Sequence, residues 1–414
     1  MNNRARSFPL ENTFRALKYP NFRLFFTGQS ISLIGTWMQS VAMSWLVYRL
    51  TGSALLLGFV GFASHIPIFI FSPFAGVFAD RYNRHRIVVV TQTLAMIQAF
   101  ILAGLTLWGR IHVWQIIFLG FFLGSVNAVE IPARQAFLID MVESRKDLLG
   151  NAIALNSAIF NTARFIGPTL AGIIVAVLGE GMCFLINAIS FVAVLVCLLL
   201  MKLAPKQLKP SGKHVFDELK DGLIYAFGSR PIRMILFLLS IISMLGMSYV
   251  VLMPIFAADV HHGDSKMLGF MMAAVGVGAL SATLYLASRK SPPTLERFVP
   301  AAATLFSSAI ILFSLSRVLW VSIALLVVTG FGFLLTTASS NTIIQTVVQD
   351  DKRGRVMAFY TIAFLGVAPI GSLLAGIAAN KIGAPDALLL GGTLCLFAAF
   401  LFYRLTNRRR NIIL

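Results

Sequence analysis

This sequence predicts an all-α membrane protein of twelve transmembrane helices in two pseudo-symmetric six-helix bundles, and three observations carry the prediction. Of its 414 residues 58% are hydrophobic and 12% charged, about half the charge density of a soluble chain. Twelve apolar stretches are long enough to cross ~30 Å of hydrocarbon, which takes about 20 helical residues. The third observation is a repeat: residues 167–173 read G-P-T-L-A-G-I and residues 371–377 read G-S-L-L-A-G-I, 204 positions apart and close to half the chain. Gln135 and Gln345 likewise follow the fourth and tenth stretches.

A net charge of +18 would suggest a nucleic-acid partner in a soluble protein, but here there is too little polar surface to carry it, so the charge is read as topology. The expected spans are 23–49, 54–79, 87–108, 113–135, 149–178, 182–202, 233–258, 266–288, 298–316, 319–345, 355–380 and 384–404. An even number puts both termini on one side. The amino-terminal arm, the connections after even-numbered spans and the carboxyl tail hold 28 of the 34 Lys and Arg. That bias places both termini in the cytoplasm. The arm itself, with Arg4, Arg6, Arg15, Lys18 and Arg23, has no small-residue cleavage site, so it is expected to precede a retained first span. Residues 202–232, with Pro205, Pro210 and six Lys and Arg residues, read as a cytoplasmic linker between an N-terminal half (1–201) and a C-terminal half (233–414). Val215 or Phe216, Leu219, Leu223 and Phe227 recur there at helical spacing, as in an amphipathic helix on the membrane face.

Between the second and third spans, Gly76, Asp80, Arg81, Arg84, His85 and Arg86 fall within eleven residues. The glycine permits close helix approach, and the charges sit where hydrocarbon gives way to water. This stretch resembles the cytoplasmic signature of the major facilitator superfamily, G-x-x-x-D-R-x-G-R. Gly76, Asp80, Arg81 and Arg84 match, and Asn83 stands where the second glycine is usual, as a residue that also tolerates the left-handed backbone region. The resemblance implies a latch whose charges pair across the inner face.

Arg164 lies about halfway through the fifth span, where a guanidinium costs at least ~2.5–3.5 kcal/mol without a partner or a wet cavity. It is read as facing a central cavity and binding an anionic or hydrogen-bond-rich substrate group, or else as pairing with amides such as Asn127, Asn156 or Asn161. Glu130 is the one carboxylate well inside a span, read either as a proton carrier or as part of an inner-face lock, with Arg134 one helical turn away as a further partner. Gln29, Ser32, Thr36, Ser40 and Ser44 form a polar stripe on the first span. Ser240, Ser243, Met244, Met247 and Met253 mark the seventh. Such stripes face a cavity or another helix, and Gln29, Ser32, Thr36, Ser40, Met244 and Met247 are taken, with Asn127 and Asn156, as cavity-lining candidates beside Arg164. Trp37, Met38, Trp45 and Phe331 would suit a cavity that adapts to several amphipathic molecules. His65, midway along the second span, is read as neutral and hydrogen-bonded.

Gly167, Pro168 and Gly172 match the glycine and Gly-Pro positions of the antiporter motif of this superfamily, where they shape the helix, while Ala154, Ala163 and Ala171 occupy other glycine positions. The run from Pro132 to Gly172 resembles the branch containing enterobactin-type siderophore exporters and macrolide or multidrug efflux proteins. Cys183, Cys197 and Cys395 lie in apolar segments, so neither disulfide nor metal is expected. His261 and His262, with Asp259 and Asp264, are assigned no site. No G-x-x-x-x-G-K-[ST] loop appears, no cofactor is expected, and the scattered histidines do not make an enzyme. The resulting expectation is a monomeric, proton-coupled exporter of amphipathic small molecules, siderophore or drug-like, in the bacterial inner membrane. The alternative is an importer or lysophospholipid flippase of the same fold.

Overall fold

The computed structural model describes residues 14–142, 146–202, 224–288, 295–349 and 352–407, and for 72–81, 142, 146–147, 295–297, 353–355 and 407 the backbone alone. After a short turn of 3-10 helix, Arg15–Lys18, come α1 Pro20–Thr51, α2 Ala54–Arg81, α3 Arg84–Leu107, α4 Val113–Val142, α5 Lys146–Leu178 and α6 Glu180–Leu199. The second set is α7 Arg230–Val260, α8 Ser265–Ser288, α9 Leu295–Leu315, α10 Leu319–Val347, α11 (353–382) and α12 Ala384–Asn407. Among the described residues eleven helices are long and apolar enough to cross a bilayer. The twelfth, α1, is 32 residues long and carries the polar stripe that lowers its hydropathy.

The helices sort into two groups of six by their contacts. In the first, α1 packs on α5 and α6, α2 on α4, and α3 on α4 and α6; in the second, α7 packs on α11 and α12, α8 on α10, and α9 on α10 and α12. Each contact therefore recurs six helices later. The groups meet along two seams, α2 with α11 and α5 with α8. The tight turns also repeat. Gly179 joins α5 to α6 at φ 82° and Gly383 joins α11 to α12 at φ 87°, while Gly52 ends α1 at φ 57°, conformations that cost glycine little and other residues more. Large apolar side chains such as Leu199, Leu284 and Phe397 lie on the outer surface, as they must where lipid is the solvent.

The groups differ in regularity. α7 widens to π-helix at Ile242–Gly246 and Phe256–Val260, and α11 at Ile362–Gly366. Pro369 follows the α11 turn, and a proline cannot donate to the carbonyl four residues back. Their counterparts α1 and α5 are continuous α-helices, α5 even across Pro168.

Candidate functional site

Arg164 sits near the middle of the 33-residue α5. Its guanidinium carbon lies 5.7 Å from the centroid of the Trp37 ring on α1 and 5.8 Å from that of Phe333 on α10. The charge is therefore held between rings from the two bundles, not turned toward lipid. Opposite it on α7, Tyr249 is 1% exposed. Its hydroxyl faces the Arg164 guanidinium and is otherwise without a partner among the described residues. Among the described residues no carboxylate pairs with Arg164. A guanidinium offers five donors in its plane, and here its charge lies over two aromatic rings, an attraction worth about 0.5–2 kcal/mol. An acceptor-rich or anionic group entering between the bundles would meet the in-plane donors and the tyrosine hydroxyl together.

The repeated heptads set this geometry. Their first glycines seat a helix on its own bundle: a Cβ on Gly167 would lie 2.5 Å from the Cβ of Trp37, and one on Gly371 1.9 Å from the Met244 carbonyl. Their last glycines join the bundles. Gly172 faces the Cα of Gly269 at 2.9 Å and Gly376 faces that of Gly58 at 2.9 Å, measured from an added Cβ. The Pro168 carbonyl also borders Gly269. Helix shaping is thus two tasks: Gly167 positions Trp37, and Gly172 closes the seam.

Contacts that join the bundles run from mid-membrane to the end away from the termini. They include Gly61 with Ser372, Phe69 with Gly366, and the Tyr48 hydroxyl, which donates to Asp259. Beside Asp259, burial, then Arg317 and His262, hold the His261 imidazole below its usual range.

Other expected residues fall elsewhere. Gln29 and Ser32, expected on a cavity face, are 2% and 3% exposed; Ser32 shares with Gly28 and Gly35 the face of α1 that packs on α6. Thr36 donates to the Ser32 carbonyl at 2.9 Å, whereas Ser40 is exposed. Met38 is buried, and Met244 presents its backbone to Gly371. Met247 receives the Ser243 hydroxyl at 4.0 Å. Asn127 is half-buried and Asn156 keeps a buried, unpartnered amide oxygen; no hydrogen bond ties either to Arg164. Glu130 lies in the wall between α3 and α4, 2.7 Å from the Arg134 Nε and accepting from Gln92 Nε2 at 3.2 Å. Of the expected latch, the side chains of Gly76, Asp80 and Arg81 lie outside those described. Arg84 donates to both oxygens of Asp140, at 2.9 and 3.0 Å. Asn83 does not use the left-handed region: its φ is −63°, because its side chain caps α3 by accepting the Arg86 amide. His65 Nδ1 is 3.0 Å from the Gly61 carbonyl.

Three groups escaped the sequence reading. Gln39, Gln98 and Asn187 form a buried chain of 3.1 and 2.8 Å bonds through α1, α3 and α6, off the polar stripe and so without a periodic signal. Arg49 grips Glu180 with two bonds, 2.7 and 3.2 Å, each residue at the helix end whose dipole favours its charge. Phe333 and Tyr249 look like ordinary apolar-helix aromatics until the bundles are brought together.

Over residues 11–411 the chain matches the family described as transmembrane secretion effector. It is 29% identical to a staphyloferrin A transporter of Staphylococcus aureus, over 92% of this chain and 95% of that one. Macrolide efflux protein A of Streptococcus pyogenes is 20% identical, over 92% and 96%. A solved bacterial homologue of the lysosomal transporter Spinster, inward-facing and unoccupied, superposes with a TM-score of 0.73 at 12% identity, covering 94% of this chain and 97% of that one, a likeness of fold. The repeated bundles, the seams and the match along nearly the whole chain lead to one assignment: this protein belongs to the transmembrane secretion effector family of major facilitator superfamily transporters.

Proposed function

We propose that this multi-pass transporter is a proton-coupled exporter that moves amphipathic small molecules, siderophore or drug-like, out of the cytoplasm by alternating access. The observation that carries the reading is Arg164, held at mid-membrane between Trp37 and Phe333 of opposite bundles with no carboxylate partner among the described residues. A substrate carrying a carboxylate or several carbonyls binds that charge, and its apolar part lies against the adaptable wall of the second bundle. The described contacts between the bundles lie from mid-membrane to the far end, which supports a pathway open toward the termini, the side that the basic loops assign to the cytoplasm. Glu130, 2.7 Å from Arg134, is the group assigned to proton coupling, with a lock toward the inner face as its other role. The protein works as a monomer in the inner membrane.

Substrate-driven proton flux in proteoliposomes tests this, with staphyloferrin A and a macrolide as probes. Arg164→Ala should lower flux at least about tenfold, the worth of ~1.4 kcal/mol, with unchanged insertion. Glu130→Gln should leave substrate binding and uncouple the proton. Unchanged flux in both variants would remove the site; substrate movement without proton movement in the parent would remove the coupling.

A further inference from the structure

The second bundle contains a cavity of about 650 Å³ that has no part in the pathway just described, within the ~300–1,000 Å³ typical of ligand sites. Its floor is α7 and its walls are α11 and α12. α12 packs on α11 through Ala368–Ile382, and the cavity lies toward the terminal third of the two, between the seam helix α11 and the outer helix α12. Phe237, Ile362, Ala363 and Leu401 line the interior, and Arg230 and Arg233 stand at the terminal end. From Arg230 to Ser240, both in the lining, α7 rises about 15 Å, which is one leaflet of a ~30 Å hydrocarbon core.

The matching end of the first bundle is closed by packed side chains. Pro20 opens α1 and Pro231 opens α7; two residues on, Phe22 stands in one and Arg233 in the other. Phe22 and Phe25 are 1% and 2% exposed and pack ring on ring. The Ala16 amide in the preceding turn is tied to Asn151 of α5. In the second bundle Arg233 is exposed and bonds only the Phe227 carbonyl, at 3.2 Å, and Phe237 is 60% exposed. Neither Arg230 nor Arg233 pairs with a carboxylate among the described residues.

We propose that this gap is a binding site for one anionic phospholipid of the leaflet on the terminal side, with an acyl chain between α11 and α12 and the phosphate on Arg230 and Arg233. An apolar slot one leaflet deep, with two guanidiniums at headgroup level that have no carboxylate partner among the described residues, fits that chemistry, since basic pockets between helices on this side take anionic headgroups and a guanidinium binds phosphate with two donors at once.

Native mass spectrometry of the full chain in detergent reads the occupancy directly, with dioleoyl-phosphatidylglycerol and dioleoyl-phosphatidylcholine as probes. One phosphatidylglycerol should bind at least about tenfold more tightly than phosphatidylcholine. Arg230→Gln combined with Arg233→Gln should abolish the preference while leaving weak phosphatidylcholine adducts. Arg233→Phe, which copies a residue the first bundle already packs, should do the same and serves if the double variant misassembles. Equal binding of the two lipids by the parent, or undiminished phosphatidylglycerol binding by the variants, overturns the proposal. Displacement of the lipid by an equal concentration of glycerol 3-phosphate would assign a bare anion site. One-for-one displacement by a macrolide would assign the gap to the substrate path. Either result also overturns it.

Discussion

Within the spans of the first bundle lie His65, Glu130, Arg134 and Arg164, whereas residues 234–258, 267–288, 298–316, 318–349, 356–380 and 387–403 of the second contain no Asp, Glu, His, Lys or Arg. The first bundle is also bound by buried polar bonds between its helices, with α1 and α5 unbroken. In the second, α7 and α11 carry three π-turns, and the Ser243 hydroxyl reaches across from one to the Phe364 carbonyl of the other. A duplicated fold has thus been divided in its chemistry. Polar bonds in hydrocarbon have few alternative partners, so they fix geometry and suit a fixed charge. Apolar packing with widened turns repacks at lower cost and suits a wall that must accept more than one shape.

The seams are where the comparison breaks down, because there the two bundles are alike. Gly172→Val and Gly376→Val each place new atoms under 3 Å from backbone of the other bundle, where nothing flexible can yield. Both should cut transport below about a tenth of the parent, an effect of more than ~1.4 kcal/mol, and spin labels at Ser53 and Lys381, at the far end of opposite bundles, should move apart. If only one of the pair had this effect, the seams would differ as the bundles do, and the symmetry argued from the heptads would fail.

Those heptads were visible in the sequence, as were all twelve helices, because hydropathy and length fix a span without knowledge of its neighbours. The site was legible only in part. Arg164 announced itself by its cost in hydrocarbon, but Phe333 and Tyr249 carry no such cost and needed the bundles to be docked. Gln29 and Ser32 were read as cavity-facing because a polar stripe is the same pattern whether it meets water or another helix. Gly28 and Gly35 on that face, both pressed against α6, held the information that separates the two. Gln39 lay outside the stripe, and its partners come from α3 and α6, too far along the chain for any local pattern to connect.

That chain gives the next test of the asymmetry. Gln39→Leu leaves Gln98 and Asn187 buried with a lost partner each and should destabilise the protein in detergent by about 0.6–1.7 kcal/mol, the range for such bonds between membrane helices. Ser339 and Ser340 of α10 are buried with hydroxyls that have no partner. Changing either to Ala should be close to neutral, within about 0.5 kcal/mol. Equal losses in thermal unfolding at Gln39 and Ser339 would mean that the second bundle also depends on polar bonds.

The smallest effect expected is dynamic. A π-turn replaces the regular ladder by longer loops of hydrogen bonding, so amides around 243–247 and 363–367 should exchange with deuterium faster than those at matching depth in α1 and α5. Pro369 accounts for the α11 turn, since its ring withholds the N–H that a regular helix needs there. Pro369→Ala restores that donor and should slow exchange in 363–367 while leaving 243–247 unchanged, because the α7 turn has its own bond, from the Met247 amide to the Ile242 carbonyl. If both segments slowed together, the two turns would be one mechanical unit joined through Ser243. Adaptability would then belong to the α7–α11 pair, and the division of labour would lie between that pair and the rest of the molecule.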